Sequence, residues 1–250
     1  MIRWERVESA IIDSKQFNDI MMSERVGVLR AMRRRNVNPN PNTEDLVQLH
    51  HAMVREQIVQ RGISCEHTVA AMSAVPRHCF LPEKMKGMAY DDCPHPIGFG
   101  QTISQPYMVA LMTSQFGHLP KGSRILEVGS GCGYQTAILV KMGFEVHSIE
   151  IVPELFQHSM ETLGALNLLP KSLSLADGKK GKADAAPFDG IIAAACGNSI
   201  PSPWIEQMTD NALLVAPVEG ENNQVLVRIH LDGSDIIREK ICNVRFVRLV

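Results

Sequence analysis

The sequence predicts an α/β fold: a doubly wound, mostly parallel sheet with antiparallel strands at its C-terminal end and a helical appendage at its N-terminus. Three observations carry that expectation. Between residues 124 and 218, short apolar runs alternate with stretches of helical periodicity, the rhythm of βα repeats. One apolar run, Ile125-Leu126-Glu127-Val128, feeds Gly129-Ser130-Gly131-Cys132-Gly133 and then an apolar helical pattern, so strand, tight turn and helix N-terminus follow one another. After residue 218, stretches 224–231 and 244–250 alternate apolar with polar residues, as two paired antiparallel strands do.

The 250 residues suit one α/β domain with an appendage, and 45% hydrophobic content allows a sizeable core. A net charge of −2 gives no global attraction to nucleic acid or to a membrane surface. Cys65, Cys79, Cys93, Cys132, Cys196 and Cys242 lie far apart with no Cys-x-x-Cys pair. Neither a zinc site nor a disulfide framework is expected, which fits a reducing cytoplasm. His50-His51 lacks a carboxylate or cysteine partner at metal spacing, so no metal is expected. No apolar run reaches the length of about 18 residues that a membrane span needs. Residues 1–8 mix charges without the apolar core of a signal peptide.

Residues 1–42 form an extension. Val26, Leu29, Ala31 and Met32 beside Arg25, Arg30, Arg33, Arg34 and Arg35 predict one basic amphipathic helix, stopped by Asn36-Val37-Asn38-Pro39-Asn40-Pro41-Asn42. Its arginines fit a solvated face better than a nucleic-acid patch, because no aromatic residues interleave with them. From Thr43, a candidate cap, Leu46, Leu49, Met53, Val54 and Ile58 recur at helical spacing until Gly62. A second helix over 65–75 buries Val69, Met72 and Val75 before Pro76. Residues 76–82 read as an extended connector. Residues 90–109, with three prolines and two glycines, read as a long loop without repetitive structure, of the kind that carries function. Ser104 either caps the helix that follows or takes part in chemistry.

The glycine spacing is Glu-x-Gly-x-Gly-x-Gly, and Tyr134 stands where a dinucleotide fingerprint wants its third glycine. Strand 145–150 ends in Glu150, about 20 residues past the loop, where ribose hydroxyls need an acceptor. A helix over 153–166 and a strand over 171–175 lead to Asp177-Gly178, which reads as an adenine contact or a plain turn. Residues 186–195 hold a turn and a buried parallel strand, 201–208 a short helix, and 212–218 another strand. In such sheets ligands bind at the carboxyl ends of the strands, where residues 127–133, Glu150 and Asp177 fall.

The glycine loop resembles the first motif of class I methyltransferases, whose sheet is Rossmann-like. Residues 49–250 resemble the protein-L-isoaspartate (D-aspartate) O-methyltransferase family. The likeness is carried by Val75-Pro76-Arg77-His78-Cys79-Phe80, Gly100-Gln101-Thr102-Ile103-Ser104-Gln105-Pro106-Tyr107, the loop at 126–134, Asp177-Gly178, Ala186-Pro187-Phe188-Asp189 and Val244-Arg245-Phe246-Val247. It implies S-adenosyl-L-methionine as cofactor, S-adenosyl-L-homocysteine as product, and isoaspartyl-containing proteins as substrates. Ser104 takes the position of the family's active-site serine. By the same likeness Gln101, Thr102, Ile103 and Ser104 line cofactor and substrate, and Glu127, Gly129, Ser130, Gly131 and Gly133 hold the methionine end. Glu150 and Ile151 are expected at the ribose, Asp177 and Gly178 at the adenine, and Gly100, Gln105, Pro106 and Val250 at the substrate. The sequence departs from the family in its extension at 1–42, in Arg248 where the closing motif usually has proline, and in its end at Val250. Domain boundaries are expected at 1–42 and 43–250, with a monomer as default and no nucleic-acid or membrane partner. The alternatives are a carboxyl methyltransferase of the same fold acting on a dedicated peptide or small-molecule acid, and a cofactor-binding adaptor.

Overall fold

A computed structural model describes residues 42–232 and 235–250; the basic helix expected in the extension lies outside the described residues. The first described helix, α1 (Thr43–Ala52), is capped by Asn42 rather than Thr43. Asp45 N donates to Asn42 Oδ1 at 2.9 Å and Asn42 N donates to Asp45 Oδ2 at 3.2 Å, a reciprocal capping box. It continues into a π-helical segment, Met53–Val59, that buries Met53, Val54 and Ile58, and the turn closes where Gly62 N donates to Val59 O. Helix α2 (Glu66–Ala74) follows.

Two expected irregular stretches are ordered. The connector at 76–82 is not extended: Arg77–Phe80 form a 3-10 turn, with Cys79 N donating to Pro76 O at 3.1 Å. Burial explains this, because Arg77 and Phe80 are both at 0% exposure and only a turn points both inward. The loop at 90–109 contains an antiparallel hairpin, β1 (His95–Gly98) and β2 (Gln101–Ile103). Its tip, Gly98-Phe99-Gly100, has φ of 94°, 53° and 71°, and the flanking glycines make that left-handed run affordable.

The main sheet has seven strands in the order β5-β4-β3-β6-β7-β8-β9. They are β3 (Arg124–Val128), β4 (Glu145–Glu150), β5 (Ser172–Leu175), β6 (Phe188–Ala193), β7 (Met208–Glu219), β8 (Gln224–Asp232) and β9 (Asp235–Val244). Pairing is parallel from β5 through β7 and antiparallel for β7–β8 and β8–β9. Helices α3 (Pro106–Ser114), α4 (Tyr134–Lys141), α5 (Pro153–Ala165) and α6 (Ser202–Glu206) complete the domain. The doubly wound, mostly parallel expectation holds, with one correction. The closing strand is 235–244, not 244–250; residues 235–240 are an exposed edge and need no apolar alternation.

The two faces of the sheet bury separate clusters. One gathers Met72, Phe80, Phe116, Ile125, Tyr134 and Leu163; the other gathers Leu126, Phe188, Ile191, Trp204 and Leu214. Near the amino ends of β3 and β6, the Asp189 carboxylate accepts from Arg124 N at 2.8 Å and from Thr209 Oγ1 at 3.3 Å. The segment Ala186-Pro187-Phe188-Asp189 therefore ties β3, β6 and β7 together at the end away from the strand carboxyl termini.

Candidate active site

A cavity with about 880 Å³ of open space, its mouth included, lies at the carboxyl ends of the parallel strands. The loop after β3 forms one wall. Gly129 N and Ser130 N both donate to Ile149 O, at 2.8 and 3.1 Å, and Gly133 N donates to Ser130 O at 2.8 Å. These bonds strap the loop to β4. Gly133 caps α4 at φ 89°, and a Cβ there meets Leu163 Cδ1 at 3.0 Å. Gly133→Ala should cost about 1–2 kcal/mol through left-handed strain and displacement of Leu163. Thermal unfolding should show it as a fall of about 5 °C in Tm; an unchanged Tm contradicts the tight packing of this turn.

Glu150, at the end of β4, lines the cavity at 5% exposure. Its carboxylate accepts from Gly131 N at 2.8 Å and from Ile151 N and Val152 N at 2.9 Å each. Ser130 Oγ stands farther off, at 3.5 Å. A carboxylate offers about four acceptor sites, so three fixed donors orient Glu150 and leave capacity for a ligand hydroxyl.

Glu127 lies elsewhere. It is fully buried beneath the loop and does not line the cavity. Its Oε2 accepts from Thr136 Oγ1 at 2.5 Å and Ser148 Oγ at 2.6 Å, while Oε1 is buried without a partner among the described residues. Burial pushes its pKa up from 4.5 to about 7. The folded protein therefore binds this proton more tightly than the unfolded chain, and stability falls as pH rises from about 4.5 to about 7. Glu127→Gln should remove that dependence. Between about pH 5.5 and pH 8, wild type should lose about 2 kcal/mol relative to the variant in urea unfolding; parallel pH profiles contradict it.

The opposite wall comes from β2 and the start of α3. Gln101, Thr102, Ile103 and Ser104 all line the cavity. Ser104 is not the helix cap: Gln105 occupies that position without a side-chain cap bond, and its amide donates to Asp92 O and Oδ1. The Ser104 hydroxyl has no hydrogen-bond partner among the described residues. Ile97, on the neighbouring strand β1, sets its Cδ1 3.4 Å from where a Cβ on Gly131 would stand, so hairpin and glycine loop pack directly on each other.

Of the other expected residues, Gly129, Ser130, Gly131, Ile151, Gly178 and Val250 line the cavity, whereas Gly100, Gln105, Pro106, Gly133 and Asp177 do not. The Asp177 carboxylate instead accepts from Lys179 N at 3.0 Å, capping a short 3-10 turn. Gly178 O accepts from Trp204 Nε1 at 2.8 Å, which anchors this end of the site to α6. Sequence reasoning missed Ala176, Ala194, Ala195, Tyr134 and Gln135, which also line the cavity; residues 247–249, in the closing stretch, line it as well. The small residues after β6 were the available signal, since a ligand crossing a strand end needs room. Tyr134 is braced from behind by Phe80, edge-on at 5.3 Å between ring centroids, and by the Arg77 guanidinium 5.0 Å from its ring. The Arg77-to-Phe80 turn thus supports the cavity wall without entering it.

Residues 48–250 match the family model described as protein-L-isoaspartate(D-aspartate) O-methyltransferase. A protein-L-isoaspartate O-methyltransferase of Picosynechococcus sp. is 42% identical over 203 residues, covering 81% of this chain and 90% of the relative. One of Opitutus terrae is 48% identical over 166 residues, covering 66% and 71%. The solved structure of a protein-L-isoaspartate O-methyltransferase from Plasmodium falciparum, in complex with S-adenosyl-L-homocysteine, superimposes with a TM-score of 0.72. It shares 28% identity, covering 80% of this chain and 98% of that one.

Proposed function

The chain belongs to the protein-L-isoaspartate (D-aspartate) O-methyltransferase family, and from that premise we infer that it methylates isoaspartyl and D-aspartyl residues in damaged proteins. The reaction is methyl transfer from S-adenosyl-L-methionine to the α-carboxylate, with S-adenosyl-L-homocysteine as the other product. The ester then closes to a succinimide whose hydrolysis returns part of the residue to aspartate. The observation that carries this reading is a single cavity with the Gln101–Ser104 wall on one side and Gly131 with Glu150 on the other.

The residues present suit the cofactor. Glu150, already oriented by three backbone donors, accepts from the ribose hydroxyls, and Ile151 covers the sugar beside it. Gly178 lies at the adenine, where a Cβ would fall 2.5 Å from Val128 Cγ1; any larger residue would shift this wall. Gly129, Ser130 and Gly131 bring backbone close to the methionine end. Glu127 acts from below by fixing Thr136 and Ser148 under the loop, and Asp177 fixes the turn that presents Gly178.

When bound, the cofactor supplies an electrophilic methyl group on a sulfonium. The substrate supplies the nucleophile, since a carboxylate of ordinary pKa, about 4, is ionised at neutral pH without a base. What remains for the protein is alignment, which can lower such a barrier by roughly 7–11 kcal/mol. The Ser104 hydroxyl, unpartnered among the described residues, donates to the incoming carboxylate and holds it in line. Ile103, Met112, Val128 and Tyr134 give the cavity apolar walls that keep water from the reacting atoms. The substrate chain binds extended along Gly100, Gln105 and Pro106 at the rim, with Val250 on the far side.

We assign residues 43–250 to the methyltransferase domain and residues 1–42 to an extension. No described helix is long and apolar enough to cross a membrane; we assign the protein to the cytoplasm, as a monomer acting on protein chains and not on nucleic acid. Incubating a protein aged at neutral pH with methyl-labelled S-adenosyl-L-methionine tests the activity. Label should appear in a base-labile form that releases methanol, and base-stable label alone would exclude a carboxyl ester.

A further inference from the structure

The final stretch of chain brings to the cavity a charge that methyl transfer itself does not use. Cys196 N donates to Val247 O at 2.7 Å, and Leu249 N donates to Cys196 O at 2.8 Å. This bridge, on buried Cys196, fixes the backbone of Arg248 along the cavity wall. The side chain is free of comparable restraint. It is 77% exposed, and its guanidinium stands 4.0 Å from Glu219 Oε1, a contact too long and too solvated to hold it. Among the described residues that line the cavity, Arg248 is the one lysine or arginine and Glu150 the one acid.

A guanidinium anchored by its backbone at a cavity mouth is suited to a carboxylate carried in by the substrate. That carboxylate is not the reacting one. The reacting group has to sit inside, beside Ser104 and away from water, whereas the Arg248 charge lies in solvent. We propose that Arg248 is a specificity-determining residue that recognises an aspartate or glutamate side chain adjoining the isoaspartyl residue of the substrate. The enzyme thereby favours damage sites with acidic neighbours over those with basic ones. This rests on the methyl-transfer reading above. The contact forms on binding and lies away from the reacting atoms, so it acts on KM and not on kcat. Exposed charge pairs of this kind change affinity by about two- to five-fold.

The test uses the full chain and one isoaspartyl peptide sequence with a single neighbouring position set to Glu, Gln or Lys. In wild type, KM should rise about two- to five-fold from the Glu to the Lys peptide at one shared kcat. The spread should shrink between about 50 and 300 mM salt. Arg248→Gln should draw the three KM values together, Arg248→Glu should reverse their order, and Arg248→Lys should restore it. A wild-type series without this order, an order that survives in Arg248→Gln, or a spread carried in kcat would overturn the proposal. Methylation of all three peptides with equal KM would do so while leaving the activity intact. Methylation of none would instead remove the activity, and this proposal with it.

Discussion

Replacing Ser104 by alanine should lower kcat on an isoaspartyl peptide by about 10- to 100-fold, the worth of one hydrogen bond to a charged group. KM for S-adenosyl-L-methionine should stay close to that of wild type. The hydroxyl lines the cavity yet has no partner among the described residues, and the helix it precedes begins at Pro106 without using it as a cap. Its removal therefore leaves the fold intact, and the loss falls on alignment of the nucleophile. Threonine keeps a hydroxyl at the same backbone position and should recover part of the rate. Steady-state kinetics with both substrates varied decide the matter. Wild-type turnover in Ser104→Ala, or a loss confined to cofactor KM, would contradict the assignment.

Glu150→Ala should have the larger effect on binding, weakening S-adenosyl-L-homocysteine by about 100-fold or more through the loss of charge-assisted hydrogen bonds. Two consequences add. The ribose loses its acceptor, and Gly131 N, Ile151 N and Val152 N lose the carboxylate that gathers them. Loop and strand end should loosen together, so Glu150→Gln, which can satisfy only some of these donors, should fall between wild type and alanine. Calorimetric titration measures the affinity directly, and the rise in Tm on ligand addition should largely disappear in the alanine variant. Retention of wild-type affinity would place the ribose elsewhere.

The parallel core was legible in the sequence because strands buried on both faces have to be apolar. Strands β3 and β6 appear as runs that little else would explain, whereas β4 has Val146 and Ile149 as its apolar residues and was placed by its position after the glycine loop and its helix. The edge strand Asp235–Val244 escaped because its outer residues face water and follow no pattern; the Asp232-Gly233 dipeptide was the available turn signal. The hairpin before α3 escaped because two short strands flanking Gly98-Phe99-Gly100 look like an irregular loop when read for periodicity. The position of its strand end pointed to Glu150, which lines the cavity. Glu127 could not be separated from it on that basis. An acid at the end of a strand reads the same whether it faces ligand or, as here, the hydroxyls of Thr136 and Ser148 beneath the loop. Spacing alone left Ser104 open between cap and chemistry, and the position of Gln105 at the helix start removes the cap. Arg248 stood out in the sequence as a departure in the closing motif, but its place on the cavity wall is a tertiary fact, created by the Cys196 bridge.

We infer that this cavity selects the isoaspartyl linkage. Two synthetic peptides of identical sequence, one with L-isoaspartate and one with L-aspartate at a single position, test it most directly with labelled S-adenosyl-L-methionine. The isoaspartyl peptide should be methylated with a measurable kcat/KM and its aspartyl twin should stay at background. Equal methylation of both, or of neither, would contradict the account.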